Sequence, residues 1–118
     1  MINPLILDGQ VHGGVAQGIG NAFYEQLIYD DYGQLLNGTF MDYLLPTSLD
    51  MPRIAVGHIE TPSPLNPLGI KGAGEAGAIP TGPLFVQAVE DALQIEGLEI
   101  REIPLSPNRL WELVEEAK

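Results

Sequence analysis

Apolar residues recur along this chain with two periods, and each period outlines a set of elements. Between positions 11 and 27, Val15, Ile19, Ala22, Phe23 and Leu27 stand near helical spacing and predict a first helix. From position 83 to about 95, Leu84, Val86, Ala88, Val89, Ala92 and Leu93 make one apolar face, and Gly97 offers a C-cap. Ser106-Pro107 opens a third helix, because the serine hydroxyl can accept from a free N–H and proline stands where no N–H is needed. It runs to about position 117, with Leu110, Trp111, Leu113 and Val114 expected to face the core.

The alternating period of strands appears in shorter pieces. Leu27-Ile28-Tyr29 and Gln34-Leu35-Leu36 flank the polar turn Asp30-Asp31-Tyr32-Gly33 and predict a β-hairpin. Ile54-Ala55-Val56-Gly57-His58-Ile59 reads as a strand after Pro52, and positions 98–103 alternate as a half-buried strand does. Helices and short strands mixed in this irregular order predict an α+β fold. A length of 118 residues suits a single domain, 1–118, with one core.

Two stretches strain against these periods. Gly13, Gly14, Gly18 and Gly20 fall in the first predicted helix, where each costs about 1 kcal/mol relative to alanine, so something must approach that backbone closely. Tight packing within the chain and approach of a ligand or partner domain both satisfy the pattern. Positions 61–82 are rich in proline and glycine and have no period, and structureless loops of that length are usually functional or disordered. At the loop centre, Gly69-Ile70-Lys71-Gly72-Ala73-Gly74-Glu75-Ala76-Gly77 surrounds one acid with small residues. Glycines admit a ligand close to the backbone, and a carboxylate in confined space can serve as a general base. An exposed loop glutamate beside turn glycines fits the same composition.

Charge and composition then remove several classes. Sixteen acidic against five basic residues give a net charge of −11, which repels a phosphate backbone, so nucleic acid is not an expected partner. Apolar residues at 45% and charged residues at 18% suit a globular chain. No apolar run approaches the roughly 20 residues that span a bilayer, and no signal peptide is evident, so no membrane association and a cytoplasmic location are expected. The absence of cysteine removes disulfides, thiolate nucleophiles and cysteine-bound metal centres.

A second polar cluster, Asp8-Gly9-Gln10-Val11-His12-Gly13-Gly14, stands at the predicted entrance of the first helix. Free N–H groups there would favour an anionic ligand group, and Gln10 can both donate and accept. With His58 as the chain's other histidine, His12 reads as a capping or core residue, and no metal ligand is expected.

Taken in order, Gly9-Gln10-Val11-His12-Gly13-Gly14, Gln17-Gly18-Ile19-Gly20, Lys71-Gly72-Ala73-Gly74-Glu75-Ala76-Gly77 and Ala88-Val89-x-Asp91-Ala92-Leu93 resemble the C-terminal end of molybdenum hydroxylase large subunits. These are the molybdopterin-binding subunits of the xanthine dehydrogenase, aldehyde oxidase and carbon monoxide dehydrogenase-like family. The resemblance implies that the chain is the C-terminal piece of a molybdenum cofactor-binding domain. It implies Glu75 as the catalytic base, Gln10 as a contact to the molybdopterin, and Gly72, Ala73 and Gly74 as backbone lining the cofactor pocket. The implied reaction oxidises an aldehyde, heterocycle or similar electron-poor carbon with water as the oxygen source, the cofactor carrying the redox chemistry and the protein supplying position and a base.

The resemblance also implies partners. The rest of the molybdopterin-binding subunit would share the cofactor, while an iron–sulfur subunit and a flavin subunit would carry the iron–sulfur clusters and FAD. A small molecule would be the substrate. Ala76-Gly77 follows Glu75 where several relatives have proline or serine, which leaves that substrate open. Lacking the family's upstream cofactor-binding segments, the chain is not a complete enzyme alone, and its uncovered apolar face is expected to favour self-association in isolation. The alternative, from another class, is a non-catalytic binding or assembly module that keeps the fold; retention of Glu75 and Gln10 weighs for the enzyme.

Overall fold

A computed structural model describes residues 1–118 and contains three helices: α1 Pro4–Phe23, α2 Thr81–Leu93 and α3 Pro107–Glu116. The first helix starts at Pro4 rather than position 11. Asn3 caps it by accepting from the Ile6 N–H at 3.1 Å, and Pro4 takes the first position. It ends at Phe23 rather than 27, where the Tyr24 and Glu25 amides both turn back to the Gly20 carbonyl at 2.9 and 2.8 Å. In α2 the left-handed cap falls on Gln94, with φ 50°, and not on Gly97, which has φ 83° in the turn after it. The third helix starts where its sequence predicts, Ser106 accepting from the Arg109 N–H at 3.3 Å.

The strands are largely absent. The hairpin survives as one antiparallel bridge between Tyr29 and Leu35, closed by Leu36 N–H to the Ile28 carbonyl at 2.8 Å and by Gly33 at φ 82°. Positions 54–59 and 98–103 form no ladder. Alternating side chains make a segment fit for a sheet, but a strand also needs a second extended backbone to pair with, and neither segment is paired with one. Of the expected α+β mixture the helices are present, while the β part is reduced to the single Tyr29–Leu35 bridge.

Side-chain and single backbone bonds hold the extended segments instead. Ile100 donates its N–H to the Glu90 carboxylate of α2 at 2.7 Å, and Leu105 donates to the Ala22 carbonyl of α1 at 2.7 Å. The small core lies where α1 packs on α2, with Ile19, Ala22, Ile100 and Leu105 buried and Phe23 meeting Phe85 edge to face at 4.9 Å. Helix α3 packs on neither α1 nor α2, so Trp111, expected in the core, is 65% exposed, while Leu110, Leu113 and Val114 are half-buried.

A compact chain of this length has a radius of gyration of about 13–14 Å and an accessible surface of about 6,200 Å². This one measures 17.9 Å and 9062 Å². Phe40, Met41, Leu49, Ile59 and Leu65 lie on that extra surface almost fully exposed. The chain displays more apolar area than its own interior can take up.

Candidate functional site

Gln10 and Glu75 border one junction, built by glycines. Gly14 of α1 meets Gly77, two residues after Glu75, backbone against backbone. A Cβ at Gly77 would stand 2.5 Å from the Val11 carbonyl oxygen and 2.9 Å from the Val15 nitrogen, and one at Gly14 would stand 2.9 Å from the Gly77 Cα. No side chain fits at either position. Further along α1, a Cβ at Gly18 would meet the Thr81 side chain, with Cγ2 at 2.7 Å and Oγ1 at 2.9 Å, and one at Gly20 would press on Glu25 and on Pro46. The cost of glycine in this helix is thus offset by intrachain packing at these positions.

The remaining glycines behave differently. Gly9 and Gly13 on α1, and Gly72 and Gly74 in the loop before Glu75, have no atom within 4 Å of the point a Cβ would occupy. Of the two explanations for the glycine pattern, packing accounts for one set and leaves the other facing open space.

Gln10 lies one helical turn before Gly14, roughly 6 Å along the axis, with its side chain exposed. It sits inside α1 rather than at the entrance, since the helix begins at Pro4. The free N–H groups expected beside it are therefore absent, and its contribution is the side-chain amide. Glu75 is also exposed, and its carboxylate makes no hydrogen bond or ion pair within the chain. Its backbone is held, however: the Glu75 carbonyl accepts from the Ala78 and Ile79 amides at 3.0 and 3.1 Å. Nearby Lys71 is engaged with the Thr61 hydroxyl. Nothing on this chain encloses Glu75, so the confinement its loop composition suggested would have to come from outside the chain.

The loop predicted over 61–82 ends at position 80, because α2 begins two residues earlier than expected, and it is folded by its own polar groups. Asn66 exchanges two bonds with Ile70, donating to its carbonyl at 2.9 Å and accepting from its N–H at 2.8 Å, while Gly69 turns at φ 66°. Segment 54–60 is strapped along α1 by the two histidines. The His12 ring nitrogens lie 2.8 Å from the Asp8 carbonyl and 3.1 Å from the Ile54 carbonyl, and His58 Nε2 lies 2.7 Å from the Asp8 carboxylate. His12 is exposed and acts as a tether, neither in the core nor at a helix cap.

A family described as molybdopterin cofactor-binding domain matches residues 1–52, which include the Gln10 cluster. The nicotine 6-hydroxylase large subunit of Paenarthrobacter nicotinovorans is 44% identical over 93% of the chain. The chain belongs to the molybdenum hydroxylase large subunits. The carbon monoxide dehydrogenase large chain of Hydrogenophaga pseudoflava is 39% identical over 98% of it. Among solved structures, quinoline 2-oxidoreductase from Pseudomonas putida 86 superposes with a TM-score of 0.91 at 50% identity, over 98% of this chain and 15% of that one. The chain spans 14% of the length of each of these two curated relatives.

Two shallow grooves lie elsewhere on this molybdenum hydroxylase segment. One of about 330 Å³ runs over Ala16, Gln17, Glu25 and Pro46, and one of about 250 Å³ lies between Gly97, Arg101 and Leu113; neither takes in Gln10 or Glu75. Sequence reasoning passed over Thr81, which is buried with its hydroxyl on the Gly77 carbonyl. A threonine just ahead of a predicted helix is a capping-type signal that could have found it. It also passed over the Asp8–His58 pair, for which 50 residues of separation leave no local signal.

Proposed function

We propose that this chain is the part of a molybdenum hydroxylase that supplies the active-site base and one wall of the molybdopterin pocket. Glu75 is the base, Gln10 holds the cofactor through its amide, and the backbone of Gly72, Ala73 and Gly74 lines the pocket. The substrate is an aldehyde, heterocycle or similar electron-poor carbon, and water is the oxygen source. Names of relatives that refer to nicotine and quinoline, both nitrogen heterocycles, favour the heterocycle.

The Gly14–Gly77 contact carries this reading. It fixes the turn bearing Glu75 against the helix bearing Gln10, so that an exposed amide, an uncommitted carboxylate and open glycine backbone border one junction. These residues fit the cofactor: Gly72 and Gly74 leave room for a bulky group against the backbone, and Gln10 can donate and accept toward a polar heterocycle. When bound, the cofactor supplies the redox chemistry. Glu75 accepts a proton at its carboxylate as oxygen is transferred to the substrate carbon, and the fixed Glu75 carbonyl keeps the side chain's point of attachment still.

The rest of the molybdopterin-binding subunit encloses Glu75 and covers the exposed apolar surface, and iron–sulfur and flavin subunits carry the electrons away. Cofactor content is the direct test of the pocket assignment. In the assembled complex, Gln10→Ala is expected to retain less molybdenum and pterin than wild type at unchanged thermal stability of the apo form. Wild-type cofactor content in that variant would remove Gln10 from the pocket.

A further inference from the structure

We propose that Thr81 is a positioning residue for Glu75, acting through the Gly77 carbonyl; this rests on the reading of Glu75 as the base. Thr81 is the first residue of α2 and is 3% exposed. Its side chain fills the space above Gly18 of α1, which only glycine leaves open. From that seat its hydroxyl donates to the carbonyl of Gly77, and its N–H donates to the Ala78 carbonyl at 3.3 Å.

The turn from Glu75 to Ile79 is thereby held at both ends and in its middle. The Glu75 carbonyl accepts from Ala78 and Ile79 at one end, Gly77 is pressed on Gly14 in the middle, and Thr81 closes the other end. Without the hydroxyl, the buried Gly77 carbonyl has no hydrogen-bond partner and is driven to rotate toward solvent. Rotation of that peptide moves the turn on which Glu75 stands. A base displaced by about 1 Å can lose on the order of 100-fold in rate, so a lost hydroxyl far from the chemistry should be felt in turnover.

The test compares Thr81→Val, which keeps the shape, with Thr81→Ser, which keeps the hydroxyl, in the full assembled complex. Amide hydrogen exchange at Ala78 and Ile79 reads the turn, and kcat and KM read the base. Thr81→Val is expected to speed exchange at both amides by about tenfold and to lower kcat by about tenfold or more with KM little changed, while Thr81→Ser stays near wild type in all three. Should Thr81→Val not yield folded complex, Thr81→Ala against Thr81→Ser makes the same comparison.

Equal losses in the Val and Ser variants would overturn the proposal, because packing rather than the hydroxyl would then be responsible. So would unchanged exchange in Thr81→Val. Glu75→Gln, measured alongside, separates this proposal from the one beneath it. If Thr81→Val loosens the turn but Glu75→Gln turns over normally, Thr81 still fixes the turn and the base reading falls.

Discussion

Gly14 and Gly77 touch through their backbones, and neither position has room for a methyl group: a Cβ at Gly14 would lie 2.9 Å from the Gly77 Cα and 2.9 Å from the Ala78 nitrogen. A helix and a loop 63 residues apart in sequence are joined here without a side chain on either side (77 − 14). The contact is short because it is made by backbone, and backbone cannot yield as the tip of a flexible side chain can.

Alanine at these glycines should therefore give opposite signs at neighbouring positions. Gly14→Ala and Gly77→Ala are expected to destabilise by about 1–3 kcal/mol through overpacking. Gly13→Ala, with open space around it, should stabilise the helix by up to about 1 kcal/mol in the chain alone. Hydrogen exchange across α1 in the three variants reads this, and a Gly14→Ala variant as stable as Gly13→Ala would contradict the packing described.

The carboxylate turn at 47–50 and the two tyrosines set opposite pH limits. Hydrogen bonds from the Thr47 N–H, then from its hydroxyl, hold the Asp50 carboxyl below its ordinary value of 3.8. The folded state thus favours the ionised form. Its stabilising effect is complete above that ordinary value and is lost as pH falls through the lower, folded one. The hydrogen bond to Glu25 raises Tyr43, and burial, followed by the charge of Asp50, raises Tyr24, both above 10.0. Their effect is complete below pH 10 and is lost as pH rises past the raised values. Carboxyl NMR should place the Asp50 midpoint below 3.8, with the Thr47 amide shifting in step. A midpoint at or above the ordinary value would contradict the turn geometry.

How far the sequence disclosed this structure depended on whether a signal was local. Ser106-Pro107 was legible because cap and proline are adjacent, and Asn3-Pro4 carries the same signal seven residues before the apolar spacing begins (11 − 4). Apolar periodicity alone missed that start. Alternation at 54–59 and 98–103 reported side chains suited to a sheet, but pairing is decided by what lies beside a segment, and alternation carries nothing about that. For the candidate site, the glycine clusters and Glu75 stood out by composition. Which glycines pack and which stay open could not, since Gly13 and Gly14 are adjacent and differ only in the side of α1 they occupy.

Trp111 gives a probe of the proposed assembly. At 65% exposure on a helix that packs on neither of the others, it should emit at long wavelength in the isolated chain. The chain should also self-associate at high concentration despite its charge of −11, because that repulsion is screened within about 8 Å at physiological salt. Assembly with the rest of the subunit should shift the emission to shorter wavelength and abolish self-association. A monomer by sedimentation, with emission unchanged on assembly, would show that this surface is not covered by the larger subunit.

The base assignment is tested most directly by Glu75→Gln in the assembled, molybdenum-loaded complex, with turnover measured per bound molybdenum. Glutamine keeps the shape and the turn but cannot take the proton, and positioned general bases contribute about 100-fold to 10,000-fold. Full cofactor content is expected, with turnover reduced by at least about 100-fold. Turnover within a few-fold of wild type, at equal molybdenum content, would show that Glu75 is not the base and would leave the chain as a binding or assembly module.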